Sequence, residues 1–349
     1  MNKHLFPYKW NLSNGYKNQN KRNVFGTFIC GGGSSMGYKL AGFNHLGGNE
    51  IDPKIATVYK KNHNPKYLYV EDIREFNKRT DLPEELYHLD ILDGSPPCST
   101  FSMSGSREKV WGKEKKFSEG QALQTLDDLV FEYCETINKL QPKVCLLENV
   151  KGIIAGNAKW YAKEIVRKLN SYGYTVQVFK LDASTMGVPQ RRERVFFIGH
   201  KKELKYPELK LEFNERRITF KELELKGIER KQINSKYIIK LMRYVTKTGV
   251  MQTEKKSIGG RIGAVGFGYC CMENEVPLTV TSGGSIIHKD KKHYAHEDEI
   301  KIIGSFPMDY NFLDVKVQYL IGMSVPPVMI AQIANQINIQ WFQKSGVIQ

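Results

Sequence analysis

The stretch Asp93-Gly94-Ser95-Pro96-Pro97-Cys98-Ser99 places a thiol directly behind two prolines, at the end of a short apolar run. A structural cysteine usually sits inside such a run, as Cys134 and Cys145 do. One fixed at its exit is presented outward and suits a nucleophile. Glu148-Asn149-Val150 ends a second apolar run in a carboxylate that could move or hold a proton. Gln190-Arg191-Arg192-Glu193-Arg194 leads into a third. Arginines entering a sheet need anionic or carbonyl partners, and alternation along the strand RVFFIG (194–199) places Arg192 and Arg194 on one face. Phe28-Ile29-Cys30-Gly31-Gly32-Gly33 lies between a strand-like run and a helical one, where glycines let backbone N–H groups approach a ligand. Glu50, about 20 residues on, could bind ribose hydroxyls, and Asp72 could meet an adenine amino group. Each acid taken alone is as readily a solvated loop carboxylate.

The elements that must position these residues are legible from residue 24 to 200. VFGTFI (24–29), YLYV (67–70), LDIL (89–92), KVCLL (143–147), TVQVFKL (175–181) and RVFFIG read as strands. Asp52-Pro53 opens a helix to about Asn62. Leu123, Leu126, Leu129, Val130, Tyr133, Ile137 and Leu140 recur at helical spacing, and a further helix spans about 158–171. Such alternation predicts an α/β fold with a parallel, doubly wound sheet, its ligand at the carboxyl ends of the strands. A terminal helix is expected over 325–342.

The ordered set of glycine turn, PPC, ENV and QRRER resembles the cytosine-C5 DNA methyltransferases. STMGVPQRRERVFFIG (184–199), PLTVTSGG (277–284) and VQYLIGMSVPP (317–327) look like further blocks of that family, and the likeness covers about 24–200 and 277–342. It implies a Rossmann-like S-adenosylmethionine-dependent methyltransferase domain and a smaller target-recognition domain. It implies Cys98 as nucleophile toward cytosine C6, Glu148 at N3, Arg194 on the O2 side, and Arg192 orienting the nucleophile's neighbourhood and the base. Phe28, Gly31, Gly32, Gly33, Glu50, Ile51, Asp72, Ile73, Pro96, Ser324 and Val325 would form the cofactor pocket. The target base must leave the duplex to be reached, and residues 99–121, with Trp111 near the middle, are the expected lid. Two positions depart from the family pattern: Cys30 replaces a glycine, and Met323 replaces an asparagine.

The chain has 349 residues, 41% hydrophobic and 26% charged, which excludes disorder, collagen and coiled coil and allows two domains. The net charge of +15 is uneven. Residues 201–261 carry 17 basic side chains against 8 acidic, and residues 1–22 carry Lys3, Lys9, Lys17, Lys21 and Arg22 with no acid. That points to a polyanion-binding surface, with a solvated lysine-rich face as the plainer explanation. The expected layout is a flexible basic extension (1–22), a catalytic and cofactor domain (23–200, completed by 318–349), a target-recognition domain (201–275) and a connection (276–317). The expected partner is double-stranded DNA, with a cognate restriction endonuclease acting on the same sequence. A monomer is expected.

Six cysteines (30, 98, 134, 145, 270 and 271) without a CxxC pair suggest a reducing, cytoplasmic, nucleoid-associated location and no zinc site. No metal is expected. No apolar run reaches the roughly 18 residues of a membrane span, so no membrane partner is expected. An RNA-directed (tRNA) relative would use the same chemistry, but a separate basic block of this size favours DNA. An inactive DNA-binding regulator is disfavoured by the intact Cys98, Glu148 and Arg194. A nicotinamide dehydrogenase would explain the glycine turn and leave PPC, ENV and QRRER without a role.

Overall fold

A computed structural model describes residues 4–16, 22–97, 128–243, 245, 247–250 and 268–343. Cys98, the expected lid and Gly259-Gly260-Arg261 lie outside the described residues. By contacts the chain forms two compact units. One comprises 16–181, 193–212 and 331–349, and the other 1–15, 182–192 and 213–330.

The first unit carries a seven-stranded sheet. Its strands are β1 (Asn23–Thr27), β2 (Asn44–Glu50), β3 (Tyr67–Val70), β4 (Ile91–Gly94), β5 (Val144–Val150), β6 (Tyr174–Asp182) and β7 (Glu193–Lys201), in the order β3-β2-β1-β4-β5-β7-β6. The pairs β1–β2, β2–β3, β1–β4 and β4–β5 are parallel. This is the mixed α/β, parallel-rich sheet that the alternation predicts.

Two features depart from that reading. Strand β2, NHLGGNE, has no apolar run to announce it. Its glycines are there for close packing: a Cβ on Gly47 would lie 1.7 Å from the carbonyl oxygen of Tyr67, and one on Gly48 would lie 2.3 Å from Ile29. Strand β7 runs antiparallel to β5. Only a single 3₁₀ turn, Ala183–Thr185, interrupts the link from β6 to β7, whereas a parallel return needs a crossover of a dozen or more residues, usually a helix.

Helices α1 (Gly33–Leu40), α2 (Pro53–His63), α3 (Ile73–Lys78), α4 (Leu129–Leu140) and α5 (Lys159–Ser171) belong to this unit. Asp52 caps α2, accepting from the N–H groups of Lys54 and Ile55, with Pro53 at the first helical position. On α4 the buried residues Leu129, Val130, Tyr133, Cys134, Ile137 and Leu140 fall on one stripe and join Phe25, Leu92, Leu147 and Phe197 in the core.

The second unit holds a four-stranded sheet of β8 (Gly249–Val250), β9 (Tyr269–Cys271), β10 (Ile286–His288) and β11 (His293–Tyr294), beside short helices. Residues 4–15 of the expected flexible extension are docked here. Trp10 is buried and its Nε1 donates to the Ser305 carbonyl at 3.0 Å, while the N–H groups of Leu12 and Ser13 bind Asp309. His4 Nδ1 lies 2.6 Å from a Glu215 carboxylate oxygen. The helix Lys236–Met242 buries Leu241 and Met242 and exposes Lys236, Tyr237 and Lys240, with Arg243 exposed just beyond.

Val317–Gln343 is long and apolar enough to cross a membrane by length and composition, contrary to the expectation of no such run, and 78% of its apolar 18-residue window is buried within the protein. The helical conformation is interrupted at Ser324-Val325-Pro326, and the terminal helix Pro327–Ile337 follows.

Candidate active site

The glycine turn follows β1 directly. Phe28, Cys30 and Gly32 all hold left-handed backbone, with φ of 54°, 47° and 72°. Gly32 is obligatory twice over, because a Cβ there would lie 2.2 Å from the His63 ring. Cys30 stands where the family pattern has glycine, and its φ shows why glycine suits the position: an L-residue is strained there by roughly 1–3 kcal/mol. Glu50, at the end of β2, offsets that strain. Its Oε2 accepts from the Cys30 N–H at 2.8 Å and its Oε1 from the Asp52 N–H at 3.0 Å. Burial raises the Glu50 pKa, opposed by these backbone donors.

Asp72, after β3, caps α3 through the Arg74 N–H at 2.8 Å and pairs with the Arg74 guanidinium at 3.1 Å. Ile51 is half-buried, and Ile73 lies in the hydrophobic core. The acids therefore sit at the carboxyl ends of β2, which neighbours β1, and of β3, the edge strand beyond it. A left-handed turn that leads into a helix, flanked by carboxylates on neighbouring strand ends, fits a nucleoside-bearing cofactor such as S-adenosylmethionine.

Glu148 and Arg194 come together across β5 and β7. Arg194 Nε stands 2.9 Å from Glu148 Oε1, and both side chains are at most 15% exposed. Burial pulls the Arg194 pKa down and Glu148 opposes it. The next residue, Asn149, is buried and donates from Nδ2 to the Pro96 carbonyl at 3.4 Å. The ENV tripeptide is thus tied to the proline pair that precedes Cys98. Sequence reading assigned Asn149 no role, although its place inside the motif was the available signal.

Arg192 behaves differently from Arg194. It immediately precedes β7, and its partners are different ones. Its guanidinium is spent on main-chain carbonyls, Val280 at 3.2 Å, Gly322 at 3.2 Å and Ser324 at 2.9 Å. It stitches the PLTVTSGG block to the closing block. Gln190 supports the same junction through the Ile303 carbonyl and the Val280 N–H. Gly322 has to be glycine for this close approach, since a Cβ there would lie 2.3 Å from the Ser282 nitrogen. Val325 is buried, the Ser324 hydroxyl donates to the Leu320 carbonyl at 2.8 Å, and Met323 is exposed.

The parallel-rich sheet, the turn at its strand ends and the buried Glu–Arg pair define a methyltransferase-type α/β protein. The family of C-5 cytosine-specific DNA methylases matches residues 24–339, and the chain belongs to that family. The Type II methyltransferase M.FnuDI of Fusobacterium nucleatum is 36% identical over 177 residues, covering 51% of this chain and 46% of that protein. M1.HphI of Haemophilus parahaemolyticus is 26% identical over 327 residues, covering 89% of this chain and 85% of that protein. The chain thus spans about half the length of the first relative and most of the second. Among solved structures, a DNA modification methyltransferase encoded within an E. coli prophage superposes with a TM-score of 0.67 at 20% identity, over 93% of this chain and all of that one. The Entamoeba histolytica methyltransferase EhMeth superposes with a TM-score of 0.60 at 16% identity, over 92% and 99%. These structural likenesses speak for the fold.

Proposed function

We propose that this protein methylates C5 of a flipped-out cytosine in a specific duplex DNA sequence through a covalent bond between Cys98 and C6. The observation that carries the reading is the Glu148–Arg194 pair, joined through Asn149 to the carbonyl of Pro96, two residues before Cys98. C5 of cytosine is a poor nucleophile until a thiolate adds to C6, which pushes electron density onto N3 and O2. Glu148 would then hold or deliver a proton at N3, and Arg194 would carry positive charge toward O2.

Bound S-adenosylmethionine would supply the methyl group, held by the 28–33 turn, Glu50, Ile51, Asp72, Ile73 and Pro96, with Ser324 and Val325 in the closing block. Loss of the C5 proton then allows Cys98 to leave. Arg192 acts at a distance from the base in this account, by fixing the segments that contain Val280 and Ser324. Residues 201–275 would read the target sequence. Because several relatives are Type II methyltransferases, the role we assign is protection of DNA from a restriction endonuclease of matching specificity, in the cytoplasm.

The test is methyl transfer from labelled S-adenosylmethionine to duplex DNA and to transfer RNA, with duplex containing 5-fluorocytosine as a trap. Fluorine blocks loss of the C5 substituent, so a denaturation-resistant adduct should accumulate with the wild type and not with Cys98→Ala. Transfer to RNA alone would overturn the DNA assignment, and an adduct formed by the alanine variant would overturn the nucleophile.

A further inference from the structure

One buried acid in the first unit has no part in this scheme. Asp93 is 3% exposed at the end of β4, five residues before Cys98. Its Oδ1 accepts from the Tyr38 hydroxyl at 3.2 Å, and the Ser34 hydroxyl donates to the same carboxylate. Both partners lie on α1, the helix that the glycine turn opens, and Ser34 is its second residue. The Asp93 main-chain carbonyl accepts from Thr27 Oγ1 at 3.3 Å, at the end of β1. Gly94 is packed so closely that a Cβ would lie 2.4 Å from the Tyr133 ring and 2.8 Å from Thr27 Oγ1. The strand end that leads to Cys98 is therefore held from three sides.

We infer that Asp93 is a positioning residue: through Tyr38 and Ser34 it ties the helix behind the cofactor turn to the strand end that carries the nucleophile. The inference rests on the function proposed above, and it adds a residue that touches neither base nor methyl donor. A carboxylate is a costly way to make a purely structural link. Asp93 faces Tyr38 on α1, Tyr59 on α2, Tyr133 on α4 and Glu148 on β5, and no cation pairs with it among the described residues. Burial, with Glu148 nearby, raises its pKa to about 7, against the pull of the two hydroxyls. With no cation beside it, the acid is held by the two hydroxyl donors alone, and both come from α1.

The experiment measures S-adenosylmethionine affinity by titration calorimetry between pH 6 and 9, and thermal stability of the cofactor-free protein, for the wild type, Asp93→Leu, Asp93→Asn and Tyr38→Phe. Asp93→Leu should bind the cofactor about tenfold more weakly at pH 8, the ratio expected for one lost hydrogen bond to a charged group. Tyr38→Phe should weaken binding in the same direction, and the double variant should be no worse than Asp93→Leu, because both cut one link. The ionised acid accepts both hydroxyls, so wild-type affinity should strengthen as pH rises through about 7. Asp93→Asn should lack that step. Wild-type affinity in both Asp93→Leu and Tyr38→Phe at pH 8, whatever their melting temperatures, overturns the inference. If wild-type protein itself fails to bind the cofactor, the proposed function falls with it, and the wild-type control separates the two failures.

Discussion

Glu148 and Arg194 form a nearly dry ion pair, 2.9 Å from Nε to Oε1, between antiparallel strands. A charge buried this far is tolerated because its partner is equally buried.

Glu148→Gln should therefore keep cofactor binding and lose turnover by about 10²–10⁴-fold, the usual worth of a positioned acid or base. Single-turnover methylation beside cofactor titration checks this. Near-wild-type turnover in a folded variant would remove Glu148 from the chemistry. Arg194→Met should cost both turnover and stability, about 3–5 kcal/mol of the latter, because it strands a buried carboxylate.

Arg192 predicts a different signature. Arg192→Met leaves three main-chain carbonyls without their donor and should destabilise the fold by several kcal/mol, at about 1–3 per stranded group. Arg192→Lys should rescue only part of this, since an ammonium lacks the planar fork. Urea unfolding reads the loss. An unchanged midpoint together with abolished turnover would return Arg192 to a direct catalytic role.

Stability should also depend on pH through Asp93. Its folded pKa of about 7 lies above the ordinary value of 3.8, so the folded state holds its proton more tightly than the unfolded chain. The contribution is full below about pH 4, declines as pH rises, and is lost above about 7, a fall on the order of 4 kcal/mol at about 1.4 per pH unit. Asp93→Asn should flatten this part of the stability–pH curve. Parallel curves for variant and wild type between pH 4 and 8 would refute the assignment.

Salt dependence tests the basic surface. Lys236, Lys240 and Arg243 are exposed on or next to one helix and enter no ion pair among the described residues. Arg216, Arg217, Lys221 and Arg230, from the same basic block, are paired with Glu222, Asp182, Glu273 and Glu299. Neutralising each of the first three should flatten the slope of log affinity against log salt by about one unit. Neutralising Lys221, already paired, should change it less. Equal slopes for all variants would favour a merely solvated lysine-rich face.

The sequence by itself determined the chemistry-bearing motifs, their order, and most strands of the large sheet. Those features are local: PPC, ENV and QRRER are read residue by residue, and apolar runs such as KVCLL and YLYV announce strands by composition. Tertiary structure decided what depends on neighbours far away in the chain. Strand β2 exists because β1 and β3 flank it and its glycines let them close in, a reason absent from NHLGGNE itself. Strand β7 turned antiparallel because its link to β6 holds no crossover helix. The two arginines of one motif parted company because β7 starts between them, leaving one for a buried carboxylate and the other for carbonyls at 280, 322 and 324. The basic N-terminal segment, tail-like in composition, is anchored by Trp10 and by Asp309. Asp93 looked like a strand-end residue and became a buried acid only once α1 brought Tyr38 and Ser34 to it, since burial and hydrogen-bond partners are properties of packing and are not carried by any one stretch of chain.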